Sequence, residues 1–212
     1  MIPAVGTPKR ILAAGREAAR RHPNSVRIIG GTWRGRRVAF PDLPGLRPTP
    51  DRVRETLFNW LQQLIVGTRC LDLFAGSGAL GLEALSRGAR EAVFVDQAPA
   101  AVGHLRAQLL QFNATAQARI LEADAGSFLR AVAEPFDIVF LDPPFGKGAL
   151  PQYVALLDAG NWLSSGGLVY LENEKSEGVP SLPAHWQLLK SKFAGEVGYH
   201  LARVNRRIQP NE

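Results

Sequence analysis

The chain has only one cysteine, Cys70, so it cannot form an internal disulfide, and a reducing compartment, the cytoplasm, is its expected location. It has no run approaching the roughly 20 apolar residues that a membrane-spanning helix needs. Its four histidines have neither metal-ligand nor triad spacing, and we assign no role to His22, His104, His185 and His200. These absences exclude a disulfide scaffold and a helical membrane protein. With 212 residues, 46% of them apolar, the chain is instead predicted to form one α/β domain with a small appendage.

Acidic residues are scarce near the N-terminus. Residues 1–60 contain twelve Lys and Arg against four Asp and Glu, whereas the remaining residues contain thirteen against fifteen. A near-neutral body that carries a basic segment is the charge distribution expected of a nucleic-acid-binding protein. The alternative is a basic surface that serves only solubility. The nearby residues suited to holding a nucleobase favour nucleic-acid binding.

Alternating strand and helix patterns begin at residue 69 and predict the fold class. Such alternation gives an α/β protein with a mostly parallel sheet covered by helices on both faces. The two last strands break the pattern and predict an antiparallel C-terminal edge. Predicted strands cover 69–74, 91–96, 118–122, 136–141, 167–172, 186–193 and 197–204, and predicted helices cover 79–87, 98–112, 125–133 and 149–160.

The N-terminal part has a different pattern, a small β-hairpin followed by a helix. Residues 27–31 and 36–40 are predicted strands around a glycine-flanked turn. Thr49 is placed to cap, and Pro50 to open, a helix over residues 51–65. We therefore predict three parts, a basic extension over 1–24, the hairpin and helix over 25–65, and the α/β domain over 66–212.

A glycine-rich turn follows the first strand of the α/β domain. Gly76-Ser77-Gly78-Ala79-Leu80-Gly81 matches G-x-G-x-x-G, in which glycines let the backbone approach a ligand at a helix N-terminus. Phe74, Gly76 and Gly78 are the predicted contacts of this turn. Asp96 closes the next strand, where its carboxylate can accept hydrogen bonds from ribose hydroxyls. NAD and S-adenosylmethionine both carry an adenosine ribose, so these residues do not separate the two cofactors.

Three further features favour S-adenosylmethionine. Asp72, at the end of the first strand, suits an ammonium group and would repel a pyrophosphate. Asp124 and the backbone N–H of Ala125 follow the third strand, where an adenine edge can dock. The fourth strand ends in Asp142-Pro143-Pro144-Phe145, for which hydride transfer has no obvious use. The structural alternatives are that Asp72 only braces the loop and that Asp124 is only a helix N-cap.

Asp142 and the backbone carbonyl of Pro143 form a predicted acceptor pair for an amino group. An exocyclic amine of guanine or adenine is a poor nucleophile because its lone pair is delocalised into the ring. Accepting both N–H hydrogens stabilises the positive charge that develops on nitrogen. The prolines fix the backbone, and Phe145 is predicted to stack on the base, a contact worth ~1–3 kcal/mol in single-strand binders. Because a sulfonium methyl is already activated, no metal is predicted. The alternative is a rigid turn with a buried phenylalanine.

The basic N-terminal residues are predicted to hold the nucleic acid. A base inside a duplex cannot reach such a pocket, so the target is either single-stranded or flipped out. Trp33 is predicted either to stack on a base or to pack within the hairpin. The predicted phosphate contacts are Arg34, Arg36, Arg37, Arg47, Arg52 and Arg54.

Two blocks of sequence resemble the bacterial 16S ribosomal RNA guanine-N2 methyltransferases. They are Arg27-Ile28-Ile29-Gly30-Gly31-x-Trp33-Arg34-Gly35-Arg36 and Arg47-Pro48-Thr49-x-Asp51-Arg52-Val53-Arg54-Glu55-Thr56-Leu57-Phe58-Asn59-Trp60-Leu61. The glycine turn and Leu141-Asp142-Pro143-Pro144-Phe145 agree with the same family, and the resemblance covers about residues 26–204. The Asp-Pro-Pro-Phe motif is shared more widely with amino-group methyltransferases, including those that act on adenine in DNA.

This resemblance implies a seven-stranded, Rossmann-like class I methyltransferase fold with S-adenosylmethionine as cofactor. It also implies that the substrate is a guanine of 16S rRNA in the 30S subunit or its assembly intermediate, and we expect a monomer. By position, it implies that Asp72, Gly76, Gly78, Asp96 and Asp124 bind the cofactor and that Asp142 and Phe145 handle the base. The extension before residue 24 lies outside the resemblance.

Three other functions remain open on the sequence alone. A DNA adenine-N6 methyltransferase would use the same acceptor pair, although the chain lacks an obvious large insert for reading duplex DNA. An NAD-dependent dehydrogenase would explain the glycine turn but not the tetrapeptide at residue 142. A ribosome-assembly factor that binds RNA without chemistry would not need Asp142.

Overall fold

A seven-stranded sheet forms the centre of the protein in a computed structural model, which describes residues 24–42, 48–146 and 148–205. The strands are β1 (Ser25–Arg27), β2 (Arg37–Ala39), β3 (Arg69–Asp72), β4 (Glu91–Asp96), β5 (Ala118–Glu122), β6 (Phe136–Leu141), β7 (Leu163–Glu174), β8 (Trp186–Ala194) and β9 (Val197–Val204). The sheet order is β5-β4-β3-β6-β7-β9-β8. The first five strands in this order run parallel, and β9 and β8 add an antiparallel edge. This arrangement confirms the predicted fold class.

Helices cover both faces of the sheet. In the part of the chain that the structure describes, they are α1 (Asp51–Trp60), α2 (Ala79–Ser86), α3 (Pro99–Gln111), α4 (Ala125–Leu129) and α5 (Leu150–Ala159). The predictions for α1 and α4 were too long. Beyond Trp60 the chain continues in turns. The carbonyl of Leu129 accepts a hydrogen bond from the indole of Trp162 at 3.1 Å, which satisfies the backbone where α4 ends.

Alternate residues of the central strands point to two separate apolar cores. Cys70 and Phe140 lie in the core beneath α1, α2 and α3, and both are fully buried. Leu71 and Leu141, one residue further along their strands, lie in the core beneath α4 and α5. A parallel sheet that is buried on both faces explains why these strands appear as continuous apolar runs. The same alternation puts Asp142 on the face of α1.

The predicted N-terminal hairpin is present, but its strands are displaced from the prediction. Strands β1 and β2 pair from Ser25 with Ala39 to Arg27 with Arg37, and a 3₁₀ turn, Gly31–Trp33, lies between them. The stretch after β1 leaves the strand because its backbone N–H groups have another acceptor. Those of Ile29 and Gly30 donate to the carboxylate of Glu83 in α2 at 2.7 and 2.8 Å.

The hairpin is fastened closely to α2. Besides the two bonds to Glu83, the Ser86 hydroxyl donates to the Gly30 carbonyl at 2.6 Å. Gly31 has a φ of 76°, and a Cβ at this position would lie 1.8 Å from the Ser86 carbonyl oxygen. Only glycine therefore fits at this contact.

The hairpin and α1 share one core with the central sheet. Val38 of β2 and Leu57 of α1 belong to the apolar cluster that contains Cys70. The division of the chain at residues 65 and 66 stays a prediction, as does the basic extension, of which residues 1–23 lie outside the described ranges. No helix within the described ranges is long and apolar enough to cross a membrane.

Candidate active site

The predicted site residues meet at the edge of the sheet where the parallel strands end. Asp72 closes β3, Asp96 closes β4, and Asp142 directly follows β6. Register places Asp72 level with both Phe94 and Phe140 on its neighbouring strands. The crevice at the carboxyl ends of the strands is where open α/β sheets bind ligands.

The turn between β3 and α2 adopts the backbone that its glycines predict. Gly76 and Gly78 have φ values of 50° and 74°, a region that other residues rarely adopt. A Cβ on Gly78 would also lie 2.2 Å from a methyl carbon of Leu105. The turn therefore packs closely at the start of α2, and its glycines leave the backbone without side chains that would keep a ligand away.

Asp96 holds the glycine turn in place. Its two carboxylate oxygens accept hydrogen bonds from the backbone N–H groups of Gly76, at 2.7 Å, and Ala98, at 2.8 Å. An ionised carboxylate has about four lone-pair positions, so acceptor capacity remains for ribose hydroxyls. Its predicted role and its bracing role are therefore compatible.

Asp72 is buried at the base of the crevice and accepts a hydrogen bond from the Gly81 N–H at 2.9 Å. Burial, opposed by the Gly81 hydrogen bond and assisted by the charges of Asp142 and Asp96, raises the pKa of its carboxyl to about 7. Three carboxylates therefore influence one another around this crevice. Such a site favours a cationic group, and the ammonium and sulfonium of S-adenosylmethionine fit it.

Asp124 is the N-cap of α4, as the structural alternative predicted. Its carboxylate accepts from the Ser127 N–H at 2.8 Å, a bond that lowers the pKa of this exposed group. Ala125 is buried at the first position of the helix. Phe74 packs edge-on against Tyr153, with ring centroids 4.9 Å apart. For all three residues, contact with the cofactor stays a prediction.

The tetrapeptide after β6 presents a carboxylate and an aromatic ring at the same edge. Pro143 is buried, whereas the Phe145 side chain follows it out of the core and is 42% exposed. An exposed phenylalanine differs from the buried one of the rigid-turn alternative. The ring is available for stacking beside the acceptor pair.

Thr49 does not cap α1, and this prediction was wrong. Pro50 occupies the N-cap position of α1, and no side chain caps the helix there. The Thr49 hydroxyl instead donates to the Asp142 carboxylate at 3.3 Å. A residue that precedes the N-terminal helix thus contacts the predicted base-binding carboxylate.

Sequence analysis missed two further residues of this edge, Tyr170 and Glu172. Both lie on β7 and are buried, and the Tyr170 hydroxyl donates to the Glu172 carboxylate at 2.7 Å. An acidic residue near the end of an otherwise apolar strand was the available signal. It becomes informative only when β7 is known to lie beside β6.

The predicted phosphate contacts differ in accessibility. Arg34, Arg37 and Arg52 are exposed. Arg36 is half-buried, with its guanidinium 4.0 Å from the Phe112 ring centroid. The neighbouring indole of Trp33 stacks on the same ring at 4.8 Å, so it packs on the residue that ends α3 and not within the hairpin. Arg47 lies outside the described residues.

Arg54 is placed where it cannot contact RNA, so the prediction for this residue is wrong. Its side chain is 0% exposed. The guanidinium donates to the carbonyls of Thr49 and Arg27 and to the Asp51 carboxylate, and lies 3.7 Å from Glu83. These contacts join the hairpin, α1 and α2, which is a structural role.

A mostly parallel seven-stranded sheet with a glycine turn, an aspartate that ends β4 and an Asp-Pro-Pro-Phe edge defines a class I methyltransferase, whose cofactor is S-adenosylmethionine. The chain belongs to the family described as "Conserved hypothetical protein 95", whose sequence profile matches residues 26–203. This confirms the family resemblance found in its motifs.

The chain is similar over most of its length to curated relatives. It is 51% identical over 176 residues to "Ribosomal RNA small subunit methyltransferase D" of Escherichia coli strain K12, covering 83% of this chain and 88% of the relative. Identity to the protein of the same name from Haemophilus influenzae is 44% over 179 residues, covering 83% and 92%. A solved Escherichia coli structure, "Putative methyltransferase yhhF", superposes with a TM-score of 0.81 at 45% identity, covering 87% of this chain and all of that one.

Proposed function

We propose that this protein transfers a methyl group from S-adenosylmethionine to the exocyclic N2 amino group of a guanine in 16S rRNA. The observation that carries the proposal is the position of Asp142 and Phe145 at the same edge of the sheet as the glycine turn. The names of the relatives support methylation of small-subunit ribosomal RNA. Guanine and its N2 position come from the motif resemblance and are the finer part of the proposal.

The chain's own groups provide a place for the cofactor. S-adenosylmethionine supplies a methyl group that its positive sulfur already activates. The backbone of Gly76 and Gly78 would approach it most closely, and Asp96 would accept from its ribose. Asp72 would face its ammonium group. Phe74, Asp124 and Ala125 are the proposed contacts around the adenine.

Asp142, Pro143 and Phe145 would act on the target base. The Asp142 carboxylate and the Pro143 carbonyl accept the two amino hydrogens, so positive charge on nitrogen is stabilised as it develops. The proline backbone keeps the carbonyl aimed. Stacking on Phe145 fixes the ring plane, and a held base reacts without the entropic cost of a bimolecular encounter.

The exposed arginines would hold the RNA around the extruded base. Arg34, Arg37 and Arg52 are exposed and would contact phosphates, and Arg36 is half-buried with its guanidinium bonded to the Gln111 carbonyl at 2.9 Å. Flipping or single-stranded binding brings the base to the crevice. We propose the 30S subunit or its assembly intermediate as substrate, a monomeric enzyme and a cytoplasmic location.

Product analysis tests this proposal. Purified protein, labelled S-adenosylmethionine and 30S particles from a strain lacking the modification should give labelled N2-methylguanine after nucleoside digestion. The matched control is Asp142→Asn, which keeps the side-chain shape and loses the charge. N6-methyladenine, or label in duplex DNA, would favour the adenine methyltransferase. Calorimetric binding of NAD but not of S-adenosylmethionine would favour the dehydrogenase.

A further inference from the structure

Glu172 lies beside Asp142 across the boundary between two parallel strands. Strands β6 and β7 pair Phe140 with Tyr170 and Leu141 with Leu171. The next residue along each chain is Asp142 and Glu172, and both side chains belong to the face that α1 covers. Laterally adjacent residues of a sheet lie about 5 Å apart, so the two carboxyl groups are neighbours.

One hydroxyl group donates to each carboxyl group of this pair. The Thr49 side chain is buried, and its hydroxyl donates to Asp142 at 3.3 Å. The Tyr170 hydroxyl donates to Glu172 at 2.7 Å. Each of the two neighbouring carboxyl groups is thus fixed by a hydroxyl group.

The surroundings of this pair, as far as the structure describes them, provide no neutralising cation. Among the described residues, no Lys, Arg or His nitrogen lies within 4.0 Å of a carboxylate oxygen of Asp142 or Glu172. The other titratable groups that act on the site are Asp72 on β3, Tyr170 on β7 and Tyr199 on β9, all neutral or acidic. A half-buried carboxyl group, Asp142, and a buried one, Glu172, that lie side by side in such surroundings cannot both ionise at low cost.

The protonation of the pair follows from this geometry. Burial raises the pKa of Asp142 well above its usual range, the Glu172 charge raises it further, and the Thr49 hydrogen bond lowers it. Burial likewise raises the pKa of Glu172 to about 7, against the opposing hydrogen bond from Tyr170. The two groups therefore titrate as a unit.

We propose that Glu172 and Thr49 are positioning residues that set the charge and basicity of Asp142 during methyl transfer. This inference rests on the proposed function and deepens it. Thr49 orients the Asp142 carboxylate and favours its ionised form, whereas the neighbouring Glu172 makes the same carboxylate a stronger proton acceptor.

This arrangement is useful because the methylated amino group must lose a proton during the reaction. When the amino nitrogen uses its lone pair to bond the methyl carbon, the carbon–sulfur bond breaks and its electrons remain on sulfur. The nitrogen then has four bonds and carries a positive charge. Loss of one amino proton to the Asp142 carboxylate returns the N–H electron pair to nitrogen. A carboxylate next to a second negative group accepts this proton more readily than an isolated one.

Two substitutions with opposite expected effects test the inference. Single-turnover methylation of 30S particles is measured from pH 5 to 9 at saturating cofactor and RNA. Glu172→Gln removes the repelling charge, so Asp142 ionises more easily and the acid limb of the profile moves to lower pH. Thr49→Val removes the bond that favours the ionised form, so the acid limb moves to higher pH. On that limb, each pH unit of displacement is about a tenfold change in rate at fixed pH.

Controls separate these effects from damage to the fold. Thr49→Ser keeps the hydroxyl and should restore the wild-type profile. Glu177→Gln removes an exposed carboxylate just beyond β7 and should leave the profile unchanged. Thermal melting and calorimetric cofactor binding identify any variant that fails to fold, and the Thr49 pair then tests the inference without Glu172→Gln.

The outcomes distinguish the inference from the function on which it rests. Absence of methylation by the wild-type protein overturns the proposed function. Methylation with acid limbs that coincide in wild type, Glu172→Gln and Thr49→Val overturns the inference alone. Displacement of both acid limbs in the same direction also overturns it, because the inference requires opposite displacements. A general loss of structure cannot produce opposite displacements.

Discussion

The two halves of the crevice hold their carboxylates in different ways. On the glycine-turn side, Asp96 and Asp124 accept hydrogen bonds from backbone N–H groups. On the tetrapeptide side, the described contacts of Asp142 and Glu172 are with each other and with the hydroxyl groups of neighbouring side chains. Backbone donors stabilise the charged form and fix geometry, whereas a buried acidic neighbour destabilises it. This difference agrees with the proposed roles, in which the first half holds the cofactor and the second accepts a proton.

The comparison is tested most strongly by removing Asp142. We expect Asp142→Ala to lower turnover on the order of 10²–10³-fold or more, because loss of one preorganised electrostatic group has this effect in other enzymes. Cofactor affinity, measured by calorimetry, should remain near that of the wild type. If affinity collapses while turnover of the saturated variant holds, the tetrapeptide belongs to the cofactor half.

Removing Asp96 should give the opposite division between binding and turnover. The change Asp96→Ala eliminates the bonds to Gly76 and Ala98 and the proposed acceptor for ribose. We expect cofactor affinity to fall about 10–100-fold, since hydrogen bonds to charged groups contribute about 1.5–3 kcal/mol each. Turnover at saturating cofactor should change much less. A lowered turnover with unchanged affinity in steady-state kinetics would contradict the comparison.

Asp72 lies between the two halves, and the pKa of its carboxyl predicts how cofactor binding depends on pH. A cationic ligand binds its ionised form, and burial raises its pKa to about 7. Protons therefore compete with the ligand below that value. Affinity should rise with pH from 5 to 7, by at most about tenfold per unit, and then level off.

Titration calorimetry at several pH values checks this dependence. The matched variant is Asp72→Asn, which cannot ionise and should flatten the profile. Affinity that falls as pH rises through this range would show that the ligand prefers the protonated carboxyl, against the assignment of Asp72 to the ammonium group.

The smallest expected effects are those of the surface arginines. Replacing Arg34 or Arg37 by Ala should weaken RNA binding uniformly and reduce the slope of log affinity against log salt by roughly one unit for each phosphate that is no longer neutralised. Lys190→Ala is the control, since Lys190 is exposed on the edge strand β8, whereas the hairpin packs on α2. Filter binding over a salt series measures the slopes. Equal slopes for all variants would show that the hairpin is not part of the RNA interface.

Local patterns predicted the ligand-holding half better than the other half. The glycine turn, the strand ends and the N-cap at Asp124 depend on residues close together in sequence, and their backbone conformation follows from residue type. The bond between Thr49 and Asp142 joins residues 93 positions apart, and Glu172 becomes relevant only through strand register. Neither relation has a local signature.

Arg54 shows a different limit of prediction from sequence. It lies among basic residues and was therefore expected on the surface, yet it shares its helix face with Leu57, Phe58 and Leu61, all buried. That spacing indicated burial. The partner that makes burial of the guanidinium tolerable, Glu83, belongs to another helix and could not be identified in advance.

The contact between Gly31 and Ser86 leaves no room for a methyl group, so the surfaces of the hairpin and α2 must match each other closely. For protein engineering, the hairpin and α2 therefore have to be exchanged together. A chimera that borrows the hairpin from a distant methyltransferase must import the matching helix with it. That helix begins at the glycine turn, so any exchange of RNA specificity by this route also carries over part of the donor's cofactor pocket.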